Sequence, residues 1–148
     1  MPALRVMMET LEVLLKINLV LAVIVGVLVA GFAWAQSDSD YQGWMKMNGA
    51  NMGSLNKNIQ AKNGAGAAAD AEKLQATLKQ VEAYWQQKNV SDAAALAQKG
   101  STAAAAVAKA ASGGDMDAAA AEVKNVQAAC GGCHMAHREG TPGNFKMK

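Results

Sequence analysis

From residue 36 onward the apolar positions recur at helical spacing. Tyr41, Met45, Met52, Leu55 and Ile59 share one helical face, and Leu74, Leu78, Val81 and Trp85 share another. A third segment turns mostly alanine inward, with Leu96 and Val107, and a fourth aligns Val123, Val126, Cys130 and His134. Val and Ile are sparse, period-two alternation is absent, and Ala, Lys, Gln, Glu and Leu dominate, so no strand is expected after residue 36. Four helices are predicted, at about 38–62, 67–88, 91–112 and 115–138, followed by a short tail.

Caps and breakers mark the ends. Ser39 with Gln42 fits a capping box. Asn63 and Gly64 stop the first helix, and Asp70 and Glu72 lie near the positive end of the second. Ser91 reads as an N-cap with Asp92 behind it. Ser112, Gly113 and Gly114 separate the last two helices, and Gly140 and Pro142 end the fourth. At about 1.5 Å rise per residue the helices are matched at roughly 30–37 Å. Connections this short leave no room for crossovers, which predicts an all-α, antiparallel up-down-up-down four-helix bundle.

Residues 17–35 are almost purely apolar, unlike the rest. Arg5 and Lys16 precede or flank that stretch, Glu9 and Glu12 dilute its charge, and Ala33, Trp34 and Ala35 form a small-x-small site before polar Gln36. Residues 1–35 are therefore expected to be an export signal cleaved after Ala35. An uncleaved membrane anchor is the competing reading, because 17–35 is nearly long enough to span a bilayer. Either way residues 36–148 lie outside the cytoplasm, in the periplasm.

The net charge of +2 over 148 residues is too mild for a nucleic-acid partner. Alanine makes good helices that pack closely, but it leaves a core poor in large side chains. A prosthetic group would fill such a core.

Cys130, Gly131, Gly132, Cys133 and His134 form C-x-x-C-H, the c-type haem attachment pattern. Two thiols one helical turn apart can add to the two vinyl groups of a haem lying against the helix, and His134 then puts its imidazole on the iron. Three other uses of these residues compete. A thioredoxin-like pair follows the first strand of an α/β fold, whereas this one lies on the fourth helix of an all-α chain. A zinc site of Cys130, Cys133, His134 and His137 requires adjacent residues, about 100° apart on a helix, to chelate one metal. A disulfide between i and i+3 in a helix is strained. Haem attachment is the reading these residues favour. With the haem's two propionates the total charge comes near neutral.

With this motif near its C-terminus, the chain resembles the class II c-type cytochromes, the cytochrome c′ family. The resemblance runs from Gln36 to the end and includes Cys130, Cys133, His134 and Arg138. At the other end, Tyr41, Gln42, Gly43, Trp44, Met45 and Lys46, then Asn48 with Gly49 and Met52 with Gly53, are similar to the low-spin, methionine-ligated branch. That resemblance implies one covalent haem c, His134 as axial iron ligand and Met45 as the sixth ligand. Two positions depart from the family pattern: His137 stands where an aromatic is common, and Gln42 where an arginine often follows the tyrosine.

Spacing agrees with Met45. It lies seven residues into the first helix, roughly 10 Å from that end, and His134 lies roughly 6 Å from the same end of the bundle. Met52 shares the face of Met45 two turns deeper, and Met47 points nearly opposite. Met52 as ligand, or no sixth ligand, remain the alternatives. Aromatic and apolar positions at that end, Trp44, Met52, Trp85, Leu96 and Val126, are the expected pocket. Arg138 is expected either to pair with a propionate or to be a solvated helix-end cation. His137 is expected to be an exposed helix-end histidine.

The function expected is one-electron transfer, with other redox proteins as transient partners. Lys46, Lys88, Arg138, Lys146 and Lys148 would cluster near the haem end and guide an acidic partner. If Met45 does not ligate, a five-coordinate binder of nitric oxide or carbon monoxide is the alternative. An enzyme is not expected, since the one further histidine, His137, lies on the proximal helix. Class II cytochromes are often homodimers, and a patch on the first two helices is where such contact would form.

Overall fold

The computed structural model describes residues 36–141 and 144–148. The export signal or anchor expected at 1–35 lies outside the described residues. Four helices follow one another, α1 (Asp38–Gln60), α2 (Gly64–Gln87), α3 (Ser91–Ser112) and α4 (Met116–His137). They are 23, 24, 22 and 22 residues long. Three-residue connections turn the chain back each time, and consecutive helices pack along one another, giving the expected four-helix bundle. Contact between α1 and α4 is slight. Among the described residues no helix is long and apolar enough to cross a membrane.

The helix starts differ in detail from the sequence expectation. The capping box of α1 is Ser37 with Asp40, not Ser39 with Gln42. Ser37 Oγ accepts from the Asp40 amide at 3.1 Å, and the Asp40 carboxylate accepts from the Ser37 amide at 3.0 Å. Asn63 both ends α1 and starts α2, because its Oδ1 accepts from the Gly66 amide at 3.1 Å. That earlier start moves Asp70 out of the first turn. Asp70 is instead buried, accepting from Asn58 Nδ2 at 2.9 Å and pairing with Lys73 at 3.4 Å. Ser91 is the first helical residue of α3 rather than its cap. Asp115 caps α4, accepting from the Ala118 amide at 2.9 Å.

A second correction concerns the tail. Residues expected to be free of strand form an antiparallel hairpin of β1 (Arg138–Thr141) and β2 (Asn144–Met147). Arg138 leaves α4 in an extended conformation, and Gly140 takes a φ of 99° that only glycine adopts without strain. The hairpin is anchored at its end, where the Lys148 amide donates to the His137 carbonyl at 3.0 Å. Met147 packs partly buried with its Sδ 3.2 Å from the Tyr84 hydroxyl.

The core divides into two clusters. One is aliphatic and alanine-rich, built on Leu55, Leu74, Val107, Val123 and Val126. The other is aromatic and lies where α1 begins and α2 ends, with Tyr41, Tyr84 and Trp85 set against Ala93, Ala94 and Ala97 of α3. Small residues let the backbones approach. A Cβ on buried Gly100 of α3 would come 3.3 Å from Leu78 and 3.6 Å from Ala129. The start of α1 is fastened to the end of α2 through Asp38, which accepts from the Tyr84 hydroxyl at 2.7 Å and from Lys88 at 2.9 Å. Half-way along the same pair, the Thr77 hydroxyl donates to buried Asn48.

Leu55 is completely buried in the aliphatic cluster. Leu55→Ala should lower the unfolding free energy by about 2–5 kcal/mol, while Met47→Ala, at an exposed position of the same helix, should stay within about 0.5 kcal/mol. Urea denaturation followed by circular dichroism measures both.

Candidate haem site

The attachment motif occupies the last two turns of α4. Cys130 and Cys133 are unpaired thiols, both half-buried, and His134 is half-buried beside them. Cys130 packs against the aliphatic cluster. Cys133 lies nearer the bundle end, close enough to Tyr41 for its charge to act on the tyrosine, and to Asp92 for the aspartate to act on the thiol. Gly132 lets α4 settle on α3, since a Cβ there would already stand 3.4 Å from Leu96.

On α1, Tyr41 is buried, and Trp44 and Met45 pack half-buried on the aromatic cluster. Met52, two turns deeper, packs on the aliphatic cluster. Trp44, Met45, Met52, Leu96 and Cys130 are all partly buried, the first two packed on the aromatic cluster and Met52 and Cys130 on the aliphatic one. Of the other expected pocket residues, Trp85 and Val126 are deeply buried, each in a different cluster. Met47 is exposed, as its helical phase requires.

The charges here suit a neutral ligand set. Burial pushes both thiols up from their ordinary value, and for Cys133 the neighbouring Cys130 and Asp92 add to it. Reactive redox cysteines show the opposite shift. Burial, then the nearby Arg138, lowers the pKa of His134, which keeps its imidazole neutral as a metal ligand has to be. Among the described residues no three His, Cys, Asp or Glu side chains converge as a metal group, so Cys130, Cys133, His134 and His137 are not brought together as a zinc site.

His137 is not the exposed helix-end residue expected. Its side chain is only 16% exposed, pairs through Nε2 with Asp92 at 2.9 Å, and lies against Trp85 with ring centroids 5.4 Å apart. Asp92 stands in the first turn of α3, where the helix dipole favours it, so the pair clamps the end of the attachment helix to the start of its neighbour. Arg138 is exposed, with its guanidinium 3.9 Å above the Phe145 ring across the hairpin. It acts on both Tyr41 and His134 from there.

The polar floor is donor-rich. Trp85 is 3% exposed, and its Nε1 has no hydrogen-bond partner among the described residues. An orphaned buried N–H costs about 1–3 kcal/mol. Next to it, burial first and Cys133 second push the Tyr41 hydroxyl up to about 12, so it stays a protonated donor. These features fit a haem, which brings a large apolar face and two carboxylates. Two open surface grooves lie away from the motif, one around Gln86 and Val90, the other around Thr102 and Asn125. Among known proteins, no family model, no curated protein and no solved structure matches the chain.

Asp92→Ala should loosen the end of α4. Losing a hydrogen bond worth about 1 kcal/mol corresponds to roughly fivefold faster amide exchange over residues 134–138, measured by hydrogen exchange with mass spectrometry. An unchanged rate would show that the pair does not hold this turn.

Proposed function

We propose that the chain is an exported, periplasmic one-electron carrier with a single haem c on Cys130 and Cys133 and with His134 and Met45 as axial ligands. The observation that carries this reading is the set of two thiols and an imidazole close together on one helix, all half-buried, with Cys133 near enough to Tyr41 for their charges to interact. Cys130 and Cys133 would hold the haem through two thioether bonds, each formed by addition of a thiol S–H to a vinyl group, which needs no oxidant. When bound, the haem iron supplies the redox chemistry by gaining and losing one electron.

The chain's own residues do the rest. His134 offers a neutral ring nitrogen and Met45 a thioether sulfur, a combination that raises the potential relative to two histidines. Trp44, Met52, Leu96 and the two clusters exclude water from the ring. His137 is engaged with Asp92 and stands on the helix of His134. Redox partners would dock briefly at this end. Lys88 is committed to Asp38, which leaves Lys46, Arg138, Lys146 and Lys148 to steer an acidic one. Its electron-transfer rate is then expected to fall as ionic strength rises, in stopped-flow measurements.

The visible spectrum of the reduced protein, with and without carbon monoxide, tests the ligand set. A sharp low-spin spectrum that ignores carbon monoxide is expected. A high-spin spectrum that shifts with the gas would instead make the protein a five-coordinate binder of nitric oxide or carbon monoxide. Absence of covalent haem by mass spectrometry would overturn the whole reading. Met45→Ala is expected to convert the first spectrum into the second.

A further inference from the structure

The aromatic end of the site holds two polar groups that the iron and the thiols do not use. They are the indole N–H of Trp85 and the hydroxyl of Tyr41. The two rings meet edge to face, centroids 5.6 Å apart, with the indole nitrogen close to the hydroxyl but outside hydrogen-bond geometry. The nearby acceptors are taken. Asp92 is held by His137, and Asp38 by Tyr84 and Lys88. Trp85 Nε1 is thus a buried donor without an acceptor, with the Tyr41 hydroxyl beside it, and Arg138 adds positive potential to the same corner, making no ion pair among the described residues.

We propose that Trp85 Nε1 and the Tyr41 hydroxyl together hold one propionate carboxylate of the bound haem. The inference rests on the haem reading, since the haem is what brings a carboxylate here. A buried N–H without a partner calls for an explanation, and a carboxylate between the two donors satisfies both. Hydrogen bonds to an ionised carboxylate favour its ionised form. These two side chains thus act as positioning residues that keep that propionate charged, and through its charge they tune the iron potential. His137 contributes by fixing the indole plane, through its contact with the ring and its bond to Asp92.

Trp85→Phe keeps a ring in the aromatic cluster and removes the N–H. Tyr41→Phe does the same for the hydroxyl. Haem attachment is first read by mass, and a chain without haem would sink this proposal together with the functional reading. In haem-loaded proteins, the propionate bending band in the resonance Raman spectrum is expected to shift in both variants. The propionate step in the pH profile of the midpoint potential is expected to move up by about one pH unit, a tenfold change in the acid constant. Loaded variants whose band and pH profile match the parent would overturn the propionate contact and leave the electron-carrier reading standing. Should Trp85→Phe fail to load, Tyr41→Phe alone decides, by the same two readouts.

Discussion

Close approach of helix backbones is the constraint on which the rest of this bundle depends. The buried face of α3 is Ala93, Ala94, Ala97, Gly100, Ser101, Ala103, Ala104, Val107, Ala108 and Ala111. A face with so little side chain holds its neighbours only if they come near, and α2 and α4 do so on either side. Bulky residues are consequently displaced. The aromatic rings collect where α1 begins and α2 ends, with Met45 packed on them and Met52 on the aliphatic cluster. Dispersion contacts decide this arrangement, because a gap of even a fraction of an ångström forfeits much of their energy.

The attachment helix is held by different means at its two ends. Its middle is fixed by apolar contact, through Val123, Val126 and Ala129. Its last turn has less to bury, and there polar and aromatic contacts take over: the Asp92 pair, the Trp85 ring and the Lys148 amide on the His137 carbonyl. Were this turn to carry a haem, such fastening would serve it, because the contacts behind a metal ligand are what orient it.

Much of this was legible in the chain. Helical spacing of Leu74, Leu78, Val81 and Trp85, and breakers at Asn63, Gly113 and Gly114, were enough for four helices and their order. The spacing of Cys130, Cys133 and His134 is what marked the candidate site. What escaped was set by contacts between distant residues. Two serines compete to cap α1, and Ser37 wins because Asp40 returns its hydrogen bond. The hairpin was missed because its strands are four residues each, too short for an alternating pattern, though the Pro142-Gly143 dipeptide is a turn signal. His137 looked exposed at a helix end, since nothing local to it reveals that Asp92, 45 residues earlier, and Trp85 arrive beside it.

The division of the core into two clusters bears on cooperativity. Single domains usually have one contiguous core and unfold all at once. Here the aliphatic and aromatic clusters share helices but no buried residue, Met52 packing on the first and Trp44 and Met45 on the second. A covalently held group touching both would make each cluster's melting conditional on the other's. The prosthetic group would then be a coupling element of the fold as well as its redox centre, and its loss would be felt first as a broader transition and only then as a lower melting temperature.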